Sequence, residues 1–112
     1  MNKASTYVTF EEFKRLDIRV ARVIKVEKIP GSRNLLKITI DIGGEERTIV
    51  AGIAKYYEPE SLIGKNIVVI VNLEPKKIFG VLSQGMLLAA DLDGEPVLLT
   101  TDKPVPPGTK VR

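Results

Sequence analysis

Residues 35–73 read LLKITIDIGGEERTIVAGIAKYYEPESLIGKNIVVIVNL, and the changes of period inside that run decide the fold. Over 35–42, Leu36, Ile38, Ile40 and Ile42 alternate with Lys37, Thr39 and Asp41, which predicts a strand with one buried face. Gly43-Gly44 is a two-residue hairpin signal, and 45–51 is the returning strand. Residues 54–65 then break the alternation. Pro59 suits the first position of a short helical turn, and Gly64 suits its end. After it, 66–73 is an unbroken apolar run of strand length, β-branched through its middle, as a central strand requires.

Towards the N-terminus, Thr9-Phe10-Glu11-Glu12 has the form of a capping box, with Val8 and Phe13 as a flanking staple. It predicts a short helix over about 10–16. From Ile18 the period is two, with Ile18, Val20, Ile24 and Val26 on one face and Arg19, Lys25 and Glu27 on the other. Arg22 and Val23 break that pattern, so the strand is expected to bulge or curve. The turn IPGSRN (29–34) joins it to the hairpin.

Towards the C-terminus, EPKK (74–77) turns the chain into IFGVL, then SQGM (83–86), then a run through LLAAD. A further strand over 96–101 and a Pro-rich end follow. The expected architecture is all-β, with short helices and a C-terminal β extension. A five-stranded barrel with a helix between its third and fourth strands is the Greek-key OB-fold. An SH3-like barrel would not need the insertion at 54–65. A single domain over 1–112 is expected, with the barrel at about 17–90 and the extension at about 91–112.

Composition narrows the chemistry. The chain contains no cysteine and no histidine, which removes thiolate and imidazole metal ligands and every nucleophile–His pair. Neither GxGxxG nor GxxxxGK[ST] occurs, and DLDGE (91–95) lacks the rest of a calcium loop. No catalytic residue, metal or cofactor is expected. No apolar run approaches the ~20 residues of a membrane span, and the first residues lack the core of a secretory signal, so a cytoplasmic location is expected. The net charge is only +3, but residues 1–40 carry a net of +5, partly offset by −2 over residues 41–73. That asymmetry points to an anionic partner, or to no more than a solvated lysine-rich face.

The segments LDIRV, EERTIVAGIAKYY, NLEPKKIFGV and SQGM, taken together and in order over about 16–90, resemble the tRNA-binding domain family. That family includes C-terminal regions of methionyl-tRNA synthetases, archaeal beta subunits of that enzyme, stand-alone structure-specific tRNA-binding proteins and the endothelial-monocyte-activating polypeptide II module. The turn GSRNLLK most resembles the archaeal beta-subunit type. The resemblance implies an OB-fold that binds tRNA by shape at the outer corner of the L, and a C-terminal extension that builds a homodimer. Four positions depart from the usual pattern: Ile29 and Gly31 stand where many relatives carry His and Asp in the 29–34 turn, Glu74 where many carry Lys, and Phe79 where many carry Arg or Lys.

The residues themselves offer two readings each. Arg33, Asn34 and Lys37 would contact phosphate or ribose on the usual binding side of the barrel, or form a solvated hairpin edge. Lys76-Lys77 would clamp phosphate or simply solvate a turn. Arg19 is a candidate outer contact, whereas Arg22 reads as a rim or ion-pair residue. Phe79 could stack on a base, yet three Phe and three Tyr make no single-strand platform, which favours folded RNA. Tyr56 and Tyr57 read as packing residues. Ser83 and Gln84 offer hydroxyl and amide groups to phosphate or a 2′-hydroxyl, Gly85 a close backbone approach, and Met86 a flexible apolar contact or a core side chain.

The resulting expectation is a non-catalytic, shape-specific tRNA-binding module that assists an aminoacyl-tRNA synthetase, the methionyl enzyme first. Two alternatives stand beside it. One is an export-related, chaperone-like homodimer that binds peptides, a branch whose members lack an intact SQGM. The other is an assembly subunit that docks a synthetase without significant RNA binding.

Overall fold

The computed structural model describes residues 6–112. Helix α1 (Phe10–Lys14) begins at Thr9, whose hydroxyl accepts the Glu12 amide at 3.0 Å while the Glu12 carboxylate accepts the Thr9 amide at 2.9 Å. The capping box is therefore formed. Val8 stays 74% exposed and the helix buries no residue, so the expected staple contributes little.

Strand β1 (Ile18–Lys28) is the spine of the sheet. Its first half, Ile18 to Arg22, pairs with β4 (Asn66–Ile70), and Arg22 to Lys28 pairs with β2 (Leu36–Asp41). The register with β2 shifts between Val23 and Lys25, a bulge that turns the strand from one neighbour to the other. This corrects the expected inward face. Val23 is buried in the core and Ile24, the residue at the bulge, is 41% exposed.

The hairpin forms as its alternation dictates. β2 and β3 (Glu46–Ala51) pair from Leu36↔Ala51 to Asp41↔Glu46, and the Asp41 carboxylate accepts the amides of Gly43 and Gly44 in the turn. Short helix α2 (Pro59–Leu62) then places Leu62, 1% exposed, against one end of the barrel. Val23 donates to the Lys65 carbonyl at 2.9 Å and accepts from Gly64 at 2.8 Å, so α2 is tied to the β1 bulge.

Two apolar clusters follow from this arrangement. The barrel interior holds Val23, Leu36, Ile38, Ile40, Ile42, Ile49, Ile53, Leu62, Ile67 and Val69. On the opposite face of β1 and β4, Ile18, Val68 and Ile70 pack under Leu88 and Val111. β4 is thus buried on both faces, which explains its unbroken apolar sequence. The second cluster needs the chain's end: β10 (Lys110–Val111) pairs with Ile18 and Arg19.

Past β4 the structure differs from the simple reading of two runs separated by SQG. IFGVL is no single strand. β5 (Lys76–Ile78) and β6 (Val81–Ser83) form their own hairpin, turned at Phe79-Gly80. β7 (Met86–Leu87) then pairs with β4 and completes the order β3-β2-β1-β4-β7. β8 (Ala89–Leu92) and β9 (Glu95–Leu98) make a separate hairpin, and the Leu98 amide donates to the Tyr57 hydroxyl at 3.2 Å. Tyr57 is a packing residue, while Tyr56 is 48% exposed.

Between β6 and β7 the sheet curls closed onto β3. Val50 donates its amide to the Ser83 hydroxyl at 2.9 Å, and Gln84 donates its amide to the Thr48 carbonyl at 2.8 Å. Gly85 makes the approach possible. At its φ of +147°, a Cβ would stand 3.0 Å from the Ile70 carbonyl oxygen and 3.3 Å from Val69.

An ion cluster fastens the tail. Arg19 donates to both Asp17 carboxylate oxygens, at 3.0 and 2.8 Å, and Lys110 lies 3.7 Å from the same carboxylate. The Arg19 hydrogen bonds, helped by the charges of Arg19 and Lys110, hold the Asp17 carboxyl below its usual range despite desolvation. A depressed carboxylate adds stability above its unfolded pKa of about 4, and that stability is lost as pH falls through the folded value.

Two outcomes are expected. Gly85→Ala lowers the unfolding free energy by about 1–3 kcal/mol, read from the denaturant midpoint. Asp17→Asn is less stable than the wild type at neutral pH, and the difference shrinks as pH is lowered below about 4, measured by thermal melts over a pH series.

Candidate nucleic-acid interface

The β5–β6 hairpin stands out from the closed seam and carries the basic turn. Its register puts Lys76 opposite Ser83 and Lys77 opposite Leu82. Both lysines are exposed, and neither forms an ion pair among the described residues. Unpaired ammonium groups on a solvated edge suit phosphate.

The hairpin's tip leans towards the turn that joins β1 to β2. Phe79 and Val81 line an open groove of about 370 Å³ with Glu27, Lys28, Ile29, Pro30 and Lys37. The structure therefore brings Lys37 and Phe79 together across 42 residues of chain. Lys37 lies 3.9 Å from Glu27, which Lys25 also approaches at 3.8 Å. One carboxylate shared between exposed Lys25 and half-buried Lys37 leaves the rim positive, and Lys28 adds to it. Lys28 was not singled out from the sequence, although a lysine closing a long strand beside a Pro-Gly turn was a usable signal.

Phe79 sits in an unfavourable backbone state. Its φ is +51° and that of Gly80 is +78°, the pair of left-handed values demanded by the tight hairpin turn that Asn-Gly fills best. A ring-bearing residue there costs about 1–2 kcal/mol relative to the right-handed region. The ring itself is 60% exposed.

The remaining predicted residues are distributed differently. Arg33 and Asn34 are exposed on the 29–35 turn; the Asn34 carbonyl accepts the Ala54 amide at 3.0 Å, and its side chain packs over Gly52. Met86 is 48% exposed on β7 and is not a core residue. Gln84 is half-buried, with its side-chain oxygen 3.4 Å from the Thr48 amide, and it borders a second open cavity of about 450 Å³ beside Arg47, Glu45 and Glu74.

Ser83 is the correction. It is 5% exposed, and its hydroxyl accepts from Val50 while donating to the Gly85 carbonyl at 3.3 Å. In this conformation the hydroxyl holds the seam and does not face solvent. Arg19 is likewise committed to Asp17, and half-buried Arg22 donates to the Asn66 side-chain oxygen at 2.9 Å.

A curled antiparallel barrel with a helix inserted between its third and fourth strands defines an OB-like binding module. Residues 18–110 match the family model described as "Putative tRNA binding domain", and the chain belongs to that family. It is 56% identical over 110 residues to the methionine–tRNA ligase of Methanothrix thermoacetophila, matching 98% of this chain but 16% of that enzyme. Among solved structures, it is similar to a MetRS-related protein from Pyrococcus horikoshii, at 44% identity and a TM-score of 0.90, covering 95% of this chain and 98% of the other. It is also similar to the chaperone CsaA from Bacillus anthracis, at 35% identity and a TM-score of 0.85, covering 95% and 99%. The chain spans about one sixth of the length of the ligases it matches.

Replacing Ser83 by Ala leaves the half-buried Val50 amide without its partner. The expected cost is about 1–3 kcal/mol in the denaturant midpoint. Any loss of RNA binding in that variant should disappear once the protein is compared at equal folded fraction.

Proposed function

We propose that this chain is a non-catalytic tRNA-binding module that assists an aminoacyl-tRNA synthetase, the methionyl enzyme. The observation that carries this reading is the 56% identity to a methionine–tRNA ligase across nearly all of this chain and only 16% of that enzyme. A conserved fold alone would not say what is bound; the unpaired Lys76 and Lys77 and the positive groove rim supply the chemistry. Phosphate contacts from such groups give sequence-tolerant, salt-dependent affinity, and the scarcity of aromatic side chains favours folded over single-stranded RNA. The contact set comprises Lys76, Lys77, Lys37, Phe79, Arg33 and Asn34, with Gln84 and Met86 at its edge. A module of this kind, linked or docked to a synthetase, raises the effective tRNA concentration without reading identity. Its place of work is the cytoplasm, and residues 1–112 act as one unit.

The assembly in this proposal is a homodimer. β8–β9 is a separate two-stranded sheet, tied to the barrel through Leu98 and Tyr57, and it leaves Leu92 60%, Val97 39% and the adjoining Leu99 42% exposed. A second copy laid on this surface would remove that apolar area from water. Similarity to a chaperone of the CsaA type gives one observation in favour of a peptide-binding reading, which the same experiment separates.

Purified protein titrated with total tRNA over a salt series should bind at low salt and weaken steeply as salt rises, with random single-stranded RNA binding less well. Absence of binding at low salt, or equal binding of single-stranded RNA, sinks the proposal; binding of an unfolded peptide in place of tRNA would favour the chaperone reading. The double change Lys76→Ala/Lys77→Ala should weaken tRNA binding and flatten the slope of log K against log salt by about 1–2, with the melting curve unchanged. Leu92→Asp should shift the sedimentation coefficient towards the monomer.

A further inference from the structure

The groove under the Phe79-Gly80 turn holds a feature that phosphate contacts leave unused. Phe79 occupies a left-handed backbone position that suits Asn or Gly, yet its ring belongs to neither apolar cluster of the core. The ring's Cε2 atom lies 3.7 Å from where a Cβ on Gly31 would stand, so one edge rests over that glycine. The remainder is open to solvent beside Pro30, Lys28 and Lys37. An aromatic ring held out of the core at a strained turn has a π-face to offer.

Charge says what fits against it. Glu27 lines the groove between Lys25 and Lys37. Its carboxylate repels a phosphate from the interior and accepts hydrogen bonds from the N–H groups on a base edge. The lysines around it attract phosphates to the rim. We propose that this groove is a nucleobase slot: Phe79 stacks on one unpaired, solvent-facing base of a folded RNA, while Lys28 and Lys37 hold the neighbouring phosphates. The slot rests on the tRNA-binding reading and names what that site takes beyond backbone charge. One exposed ring serves one base, in keeping with a chain that has too few aromatics to track a single strand.

The chain contains no tryptophan, so Phe79→Trp installs a single indole emitter at the slot. The variant of this chain is titrated with a tRNA transcript and with a blunt RNA duplex in which every base is paired. Saturating tRNA should quench the indole emission, and the duplex should leave it nearly unchanged. Phe79→Asn should keep or raise the melting temperature and weaken tRNA binding by roughly tenfold or more, with no change in salt slope because no charge is lost. Wild-type affinity in Phe79→Asn, no quenching by bound tRNA, or equal quenching by the duplex would each overturn the slot while leaving tRNA binding intact. Failure of the wild-type protein to bind the transcript at low salt would overturn the tRNA reading and the slot with it.

Discussion

Strand β3 has β2 along one side, and on its other side the amides of Thr48 and Val50 and the carbonyl of Thr48 point at the SQG segment. An open edge there would leave backbone groups unpaired over the mouth of the hydrophobic interior and invite pairing with another chain. The barrel satisfies them with a short seam in which a hydroxyl and an amide side chain stand in for ladder partners. Gly85 is what lets the seam lie flat, since any side chain would meet the Ile70 carbonyl. The closed interior, from Ile38 and Ile49 to Val69, depends on that join.

The same join positions the candidate interface. The β5–β6 hairpin leaves the barrel from β4 and re-enters it at Ser83, so the seam fixes one of its two feet. Lys76, Lys77 and Phe79 project from an arm anchored in this way, which sets their distance from Lys37 and the 29–31 turn. The closing residue and the proposed contact are therefore cross-strand neighbours, Ser83 buried in the seam and Lys76 exposed directly opposite it. Within one tetrapeptide, Ser83 and Gly85 serve closure, while Met86 and part of Gln84 remain at the surface.

How much of this could be read from residues follows from the range of each interaction. The β2–β3 hairpin and the capping box were legible because their signals are local: alternation, Gly43-Gly44, and Thr9 with Glu12. The OB-like order was legible because Pro59 and Gly64 mark the inserted helix. The inward face of β1 was legible only as a disturbance. Arg22 and Val23 announced a bulge, but deciding that Ile24 turns outward required knowing that β1 changes neighbours there. IFGVL hid its turn because Phe at a left-handed position is not a turn signal. Ser83 misled for a different reason: its partner Val50 lies 33 residues away, and a polar residue in an apolar run looks the same whether it faces solvent or satisfies a backbone amide of a neighbouring strand.

Strand β1 is also shared among β2, β4 and β10, and these partners arrive at different times. β2 follows at once, so β1 has a neighbour as soon as the hairpin exists. β10 closes a loop of roughly ninety residues, the kind of contact that forms late because chain entropy must be overcome first. On a chain emerging from the ribosome, the barrel interior can assemble while Ile18, Val68 and Ile70 still lack Val111 over them. Until β10 pairs, that outer face has Leu88 but not Val111 over it. Pairing of β10 is what adds Val111 to that face, so the strand serves as a cover against association through Ile18, Val68 and Ile70.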